Sequence, residues 1–183
     1  SAAVYYLQQK DIIAKRTNIA ELPSTMKEGN EDILVVLVIG ESARADHFHI
    51  NGYERETTPK MEQRKNLINF SNTTSCAAMT RTSVPCMMTR ADTNNREISL
   101  KETSLVSMFK KHGFTTYWID VQGATSSSFD SPIANIMNES DFTVTMNNDA
   151  IFEPMKDEDA FPYIDNFLNT QKGKKTLLVV HSF

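Results

Sequence analysis

Cysteine, tryptophan and glycine are scarce in this sequence: two Cys, one Trp and six Gly among 183 residues. Two cysteines exclude a four-sulfur zinc site and the dense disulfide framework of small secreted domains. Six glycines and six prolines exclude collagen-like and low-complexity chains. Long apolar runs are also missing. The longest, Ile33 to Ile39, has seven residues, against the roughly 20 that a membrane-spanning helix needs. Neither sign of charge dominates: 19 Lys and Arg stand against 23 Asp and Glu, a net charge of -4, with no long block of like charge. Nucleic acid is therefore excluded as a partner on electrostatic grounds. The first residues, Ser1 to Leu7, have no basic n-region and no long apolar stretch. They are not a signal peptide, and they read as a boundary cut into a longer protein.

What is present is ordinary for a soluble globular domain, with 40% hydrophobic and 23% charged residues. A chain of this length buries about two-thirds or more of the surface its unfolded form exposes. Residues 1–32 read as a leading helix over Ala3 to Arg16, followed by a linker that starts at Pro23 and the polar stretch Lys27 to Asp32. Ile33 to Ile39 is rich in β-branched residues and ends at Gly40, the pattern of a central parallel strand buried on both faces. Ser99-Leu-Lys-Glu102 has the form of a capping box ahead of Leu105, Met108 and Phe109, with Gly113 closing the helix. Phe114 to Ile119 and Phe142 to Thr145 read as strands. Ser131-Pro132 reads as the start of a short helix, and Phe161 to Thr170 as a further helix that stops by Gly173. Thr176 to Val180 is a second buried strand. Strands alternating with helices imply an α/β fold, a mostly parallel sheet sandwiched by helices, with its chemistry beyond the carboxyl ends of the strands. The chain stops at Phe183 just after a strand end, so the C-terminal part of such a domain is expected to be missing.

Two segments carry candidate chemistry. Glu41 follows the first strand, and Arg44, Asp46, His47 and His49 come within eight residues of it. A carboxylate there can hold a metal or simply meet a helix dipole, and His47 and His49 stay unassigned. The second segment, Ser75 to Cys86, packs Ser75, Thr80, Thr82 and Ser83 between Cys76 and Cys86, with Pro85 limiting a regular helix. A hydroxyl at a helix N-terminus can attack phosphorus when a metal lowers its pKa, or it can merely cap the helix. Cysteines ten positions apart are compatible with a disulfide, half a metal site or two buried thiols.

Three ordered motifs narrow these alternatives: Gly40-Glu-Ser-Ala-Arg-Ala-Asp-His47, Asn51-Gly-Tyr-Glu-Arg-Glu-Thr-Thr-Pro59, and Ser75-Cys-x3-Thr-x2-Ser-Val-Pro-Cys-Met87. Together they resemble the phosphoethanolamine transferases of Gram-negative inner membranes, the lipid A and mobile colistin resistance group, from about Ile33 to the last residue. The resemblance implies an alkaline phosphatase and sulfatase type of domain over 33–183. It also implies a position on the periplasmic face of the inner membrane, held by N-terminal membrane helices absent here. Residue by residue, it makes Glu41 a zinc ligand and Thr80 the nucleophile that also touches zinc. Cys76 and Cys86 become a disulfide. The implied donor is phosphatidylethanolamine, and the acceptor is lipid A, lipopolysaccharide core or another envelope component.

The sequence departs from that family in three places. Val121-Gln122-Gly123 stands where many relatives have Asn after the strand, so donor headgroup contacts do not carry over. The family's Gly-Ser-His segment and its later Asp-His zinc ligands fall past Phe183. Of the family's zinc constellation only Glu41 and Thr80 are present, so turnover by these 183 residues alone is not expected. The alternatives are a phosphoglycerol transferase, a sulfatase-like hydrolase, or a noncatalytic module that binds envelope ligands. Ser83-Val-Pro-Cys-Met87 lacks the Arg of the sulfatase signature.

Overall fold

The computed structural model of the chain describes residues 11–25, 32–122, 131–146, 156–171 and 174–182. Most of the leading helix, the stretch 26–31, Gly123 and Gly173 lie outside them. Four parallel strands form one sheet in the order β1 (Leu34–Ile39), β4 (Thr176–His181), β2 (Thr115–Asp120), β3 (Phe142–Thr145). The longer helices are α1 (Thr80–Met88), α2 (Leu105–Lys111), α3 (Pro132–Met137) and α4 (Phe161–Thr170). Each parallel pair is joined through a crossover, as parallel pairing requires.

β4 is buried along its whole length, because alternate side chains feed two different cores. Leu177 and Val179 join Ile39, Trp118 and residues of α1, α2 and α3 (Val84, Met88, Val106, Ile133 and Ile136) on one face. Leu178 and Val180 join Ile119, Val121, Met146 and Phe167 of α4 on the other. A strand sandwiched in this way reads as a continuous apolar run, and Thr176-Leu-Leu-Val-Val180 does.

The similar run in β1 has a different fate. It is parallel, as its composition predicts, but it pairs with β4 alone and so is not central among the described residues. Nor is it buried on both faces. Val35, Leu37 and Ile39 pack on the α1 side, whereas Leu34, Val36 and Val38 are 50%, 49% and 63% exposed. The helix that covers the second face, α4, sits over β4 and β2, and leaves an apolar cavity of about 370 Å³ between Ile164, Leu168 and the open side of β1.

Caps differ from expectation at α2. Ser104 is the N-cap, its hydroxyl accepting from the Val106 N–H. Ser99 lies inside a separate helical turn, Ile98–Lys101, and donates to the Arg96 carbonyl. Glu102 is drawn away by Arg90, whose guanidinium reaches both carboxylate oxygens. Gly113 does close α2, at φ 79°, a left-handed conformation that favours glycine. Pro132 opens α3 at its first turn, although Ser131 makes no side-chain cap. Pro85 falls within α1, which runs three residues past it.

The leading segment is docked rather than loose. Arg16 pairs with Glu139 at 2.9 Å and donates to the Glu102 carbonyl, Thr17 bridges to Glu102, and Ile19 is buried.

Asp141 ties the start of β3 to β2. It accepts from the Thr116 N–H and hydroxyl, both at 2.9 Å, and pairs with Lys110 at 2.9 Å. Burial pushes this carboxyl up, but the Thr116 N–H, Lys110 and the Thr116 hydroxyl together hold it below the usual range. Because the folded value is depressed, the stability these contacts confer is present above the unfolded-state pKa and is lost as pH falls through the folded one. Asp141→Ala should cost about 1–3 kcal/mol at neutral pH by urea unfolding. The difference from wild type should shrink as pH drops below the ordinary carboxylate range.

Candidate active site at the carboxyl end of the sheet

The two pairings of β4 set Ile39, His181 and Asp120 in one row at the carboxyl edge of the sheet. Alternation puts His181, two residues after Val179, and Asp120, two after Trp118, on the face that carries α1. Both are fully buried, and His181 Nδ1 lies 2.8 Å from Asp120 Oδ1. The other ring nitrogen, Nε2, is 3.7 Å from Glu41 Oε1, the carboxylate two residues past the end of β1. Val121 N–H donates to the His181 carbonyl and Ser182 N–H to the Ile39 carbonyl, so the three strand ends are stitched together.

After Glu41 the chain turns sharply. Ser42 has φ 50°, the one non-glycine residue with a positive φ among the described residues. Such a conformation is costly without glycine and concentrates at functional sites. The following loop is held by the second motif. Thr57 donates to the His47 carbonyl and accepts from the His49 N–H, Thr58 accepts from the Ile50 N–H, and the Asn51 amide donates to the Ala45 carbonyl. His47 packs on Tyr53, and His49 pairs with Glu62 at 2.8 Å. Both histidines thus serve the loop. Arg44 pairs with Asp46, holding that carboxyl below its usual range.

Thr80 is the first residue of α1, with Met79 as N-cap. The Thr82 and Ser83 N–H groups both donate to the Met79 carbonyl. The helix presents its positive end at Thr80, where negative charge is favoured. Cys76 and Cys86 are joined, with Cα atoms 6.3 Å apart, and this bridge ties the loop before Thr80 to the body of α1. Glu41 and Thr80 line one cavity of about 610 Å³ together with Gly40, Arg44, Ser75 and Ser83. The two expected site residues, 39 positions apart, therefore share a cleft.

Sequence reasoning missed Asp120 and His181 as site residues. The available signal was positional: each ends an apolar strand with a titratable side chain at the edge where open parallel sheets place their sites. Trp118 Nε1, Asp120 Oδ2 and His181 Nε2 are all buried without a hydrogen-bond partner among the described residues. Such orphaned atoms are uncommon and call for an explanation.

The donors suit a metal in part. A carboxylate and a threonine hydroxyl facing one cavity are oxygen ligands of the kind zinc accepts. Among the described residues, however, no group of three or more His, Cys, Asp or Glu is placed to hold an ion. Glu41 and Thr80 thus supply two oxygen donors to one cavity, a chemistry that suits zinc.

A parallel sheet with helices on both faces and a carboxylate–threonine cleft at its carboxyl edge defines an α/β domain of the alkaline phosphatase and sulfatase type. The model of the sulfatase family matches residues 33–183, and the chain belongs to that family. It is 32% identical over 156 residues to the phosphatidylethanolamine transferase Mcr-1 of Escherichia coli, covering 81% of this chain and 28% of that protein. Over 93 residues it is 45% identical to the Kdo(2)-lipid A phosphoethanolamine 7''-transferase of Salmonella typhimurium, 49% of this chain and 16% of that one. Among solved structures it resembles the C-terminal periplasmic domain of EcEptC from Escherichia coli in complex with Zn. The TM-score is 0.75 at 28% identity, over 84% of this chain and 44% of that domain. The soluble domain of lipooligosaccharide phosphoethanolamine transferase A from Neisseria meningitidis gives a TM-score of 0.71 at 25% identity, over 91% and 50%. The chain thus spans half or less of the relatives it matches. No helix among the described residues is long and apolar enough to cross a membrane.

A loop of this size closed by a disulfide contributes about 2–3 kcal/mol on the chain-entropy model. Thiol titration of the denatured, unreduced protein should find no free thiol. Replacing both cysteines by serine should lower the urea midpoint accordingly.

Proposed function

We propose that residues 33–183 form part of the catalytic domain of a zinc-dependent phosphoethanolamine transferase, with residues 1–32 leading in from a membrane region. The domain would work on the periplasmic face of a Gram-negative inner membrane. The observation that carries this reading is the cleft that Glu41 lines together with Thr80 at the start of α1. Support comes from the names of the relatives and from the neighbour crystallised with Zn.

Glu41 and Thr80 would hold the zinc, which supplies charge that lowers the pKa of the Thr80 hydroxyl and offsets negative charge on phosphoryl oxygens. Thr80 Oγ, as the alkoxide, attacks the phosphorus of phosphatidylethanolamine. A bond forms between Oγ and phosphorus as the bond to diacylglycerol breaks, and the departing glycerol oxygen takes up a proton. The N-terminus of α1 adds its dipole to the stabilisation of the charge that develops there. A hydroxyl or phosphate of lipid A, lipopolysaccharide core or another envelope acceptor then displaces Thr80 from phosphorus, releasing the threonine hydroxyl. Met87, where the sulfatase signature calls for Arg, favours this reading over sulfate-ester hydrolysis.

Incubation with phosphatidylethanolamine should give an intact-mass increase of one phosphoethanolamine group, mapped to Thr80 by peptide fragmentation. The assay belongs on a chain extended to the length of its relatives' domain. Thr80→Ala should remove the adduct and reduce transfer by at least about 10³-fold, the order expected when a covalent nucleophile is lost. The 183 residues alone, with two zinc ligands, should show no measurable turnover. An adduct that persists in Thr80→Ala would refute the assignment.

A further inference from the structure

We infer that His181, anchored by Asp120, is a positioning residue that sets the orientation of the Glu41 carboxylate. The inference rests on the reading of Glu41 as a zinc ligand and extends it inward by two residues. His181 and Asp120 are fully buried, and the 2.8 Å contact between Nδ1 and Oδ1 fixes the ring. Among the described residues the opposite nitrogen has no hydrogen-bond partner, and it lies 3.7 Å from Glu41 Oε1, the carboxylate that enters the cleft. A closure of under an ångström turns that approach into a hydrogen bond between the ring and the carboxylate. A lone Asp and His inside a packed sheet carry a desolvation cost that hydrophobic residues would avoid. Their placement directly behind Glu41 accounts for retaining them. Carboxylates that ligate metals are themselves commonly held by such partners, whose loss weakens metal binding by about 10- to 100-fold.

The register makes this geometry hard to obtain by chance. His181 is paired with Ile39 on one side and Asp120 on the other, so the carboxylate that follows Gly40 emerges beside the ring. The chain of contacts Asp120, His181, Glu41 therefore crosses three strands in a single row.

The test measures zinc affinity by competition with a chromophoric chelator, thermal unfolding of the metal-free protein, and its crystal structure. Three proteins are compared: wild type, His181→Gln, and Asp120→Asn/His181→Gln, the last leaving no buried charge should the single variant fail to fold. The expected result is zinc binding 10- to 100-fold weaker in the variants, with the Glu41 carboxylate turned from its wild-type position while β1 and α1 stay in place. A lower unfolding temperature with unchanged zinc affinity and an unmoved Glu41 would reduce the pair to a structural role and overturn the inference. A zinc-bound structure with the ion bonded to Nε2 would also overturn it. If Glu41→Ala leaves zinc binding unchanged in wild-type background, the zinc reading of Glu41 fails. The inference is then decided by the metal-free structures: a Glu41 displaced in His181→Gln sustains the positioning role, and an unmoved one refutes it.

Discussion

The pairing of β4 with both β1 and β2 governs where every chemical group at the carboxyl edge can stand. In a parallel sheet a slip of one residue turns each side chain to the opposite face. Such a slip in β4 would send His181 toward α4 and bring Val180 behind Glu41. It would also expose both cores, because Leu177 and Val179 serve one and Leu178 and Val180 the other. Burial on two faces therefore pins the register twice, and the cluster of Asp120, His181 and Glu41 inherits that precision. Placing a functional row on rigid strands limits positional scatter in a way that a loop does not.

Thr80 reaches the same cleft by a different route. It comes from a long irregular connection between β1 and α1, and its position depends on where α1 starts. Two constraints act there. Val84 and Met88 are buried against Ile39 and Trp118, which sets the distance of the helix from the sheet. The Cys76–Cys86 bridge ties the approach to Thr80 to the second turn of the helix, which limits the paths open to the loop. The loop after Glu41 needs its own fastening. The hydroxyls of Thr57 and Thr58 replace the regular ladder that this stretch lacks. The three sequence motifs thus correspond to the strand end, the fastening of its loop, and the helix start, and all three converge because the sheet brings them to one edge.

Local signals in the sequence proved sufficient for most elements. Thr176 to Val180, Phe142 to Thr145 and Phe161 to Thr170 are found where hydrophobic spacing puts them, and the all-parallel sheet follows from the alternation of types. Failures came where a nonlocal partner decided. The burial of a strand on two faces depends on what covers it, and Ile33 to Ile39 contains no information about whether α4 extends that far. The capping box at Ser99 failed because Glu102 finds Arg90, a partner twelve residues upstream that no capping rule considers. At the site, Glu41 and Thr80 were legible through the motifs in which they sit. Asp120 and His181 were not, since 61 residues separate them and neither belongs to a local pattern with chemical meaning. Their pairing exists only in the folded register.

The two faces of the sheet end differently, and this asymmetry determines on which side chemistry can occur. On the α4 side the strand ends carry Val180, Val121 and Met146, all apolar and buried. Those buried side chains bind no charge, and an anion among them would lose hydration without compensation. On the α1 side the same rows end in Asp120 and His181, with Glu41 beside them and the N-terminus of a helix opposite. Glu41 and the start of α1 share one cleft on this side, as the proposed reaction requires. The difference arises from a single-residue alternation along β2 and β4. A polar side chain at position 120 or 181 faces α1, whereas the same side chain at 119 or 180 would be buried in the opposite core, away from the Glu41 carboxylate.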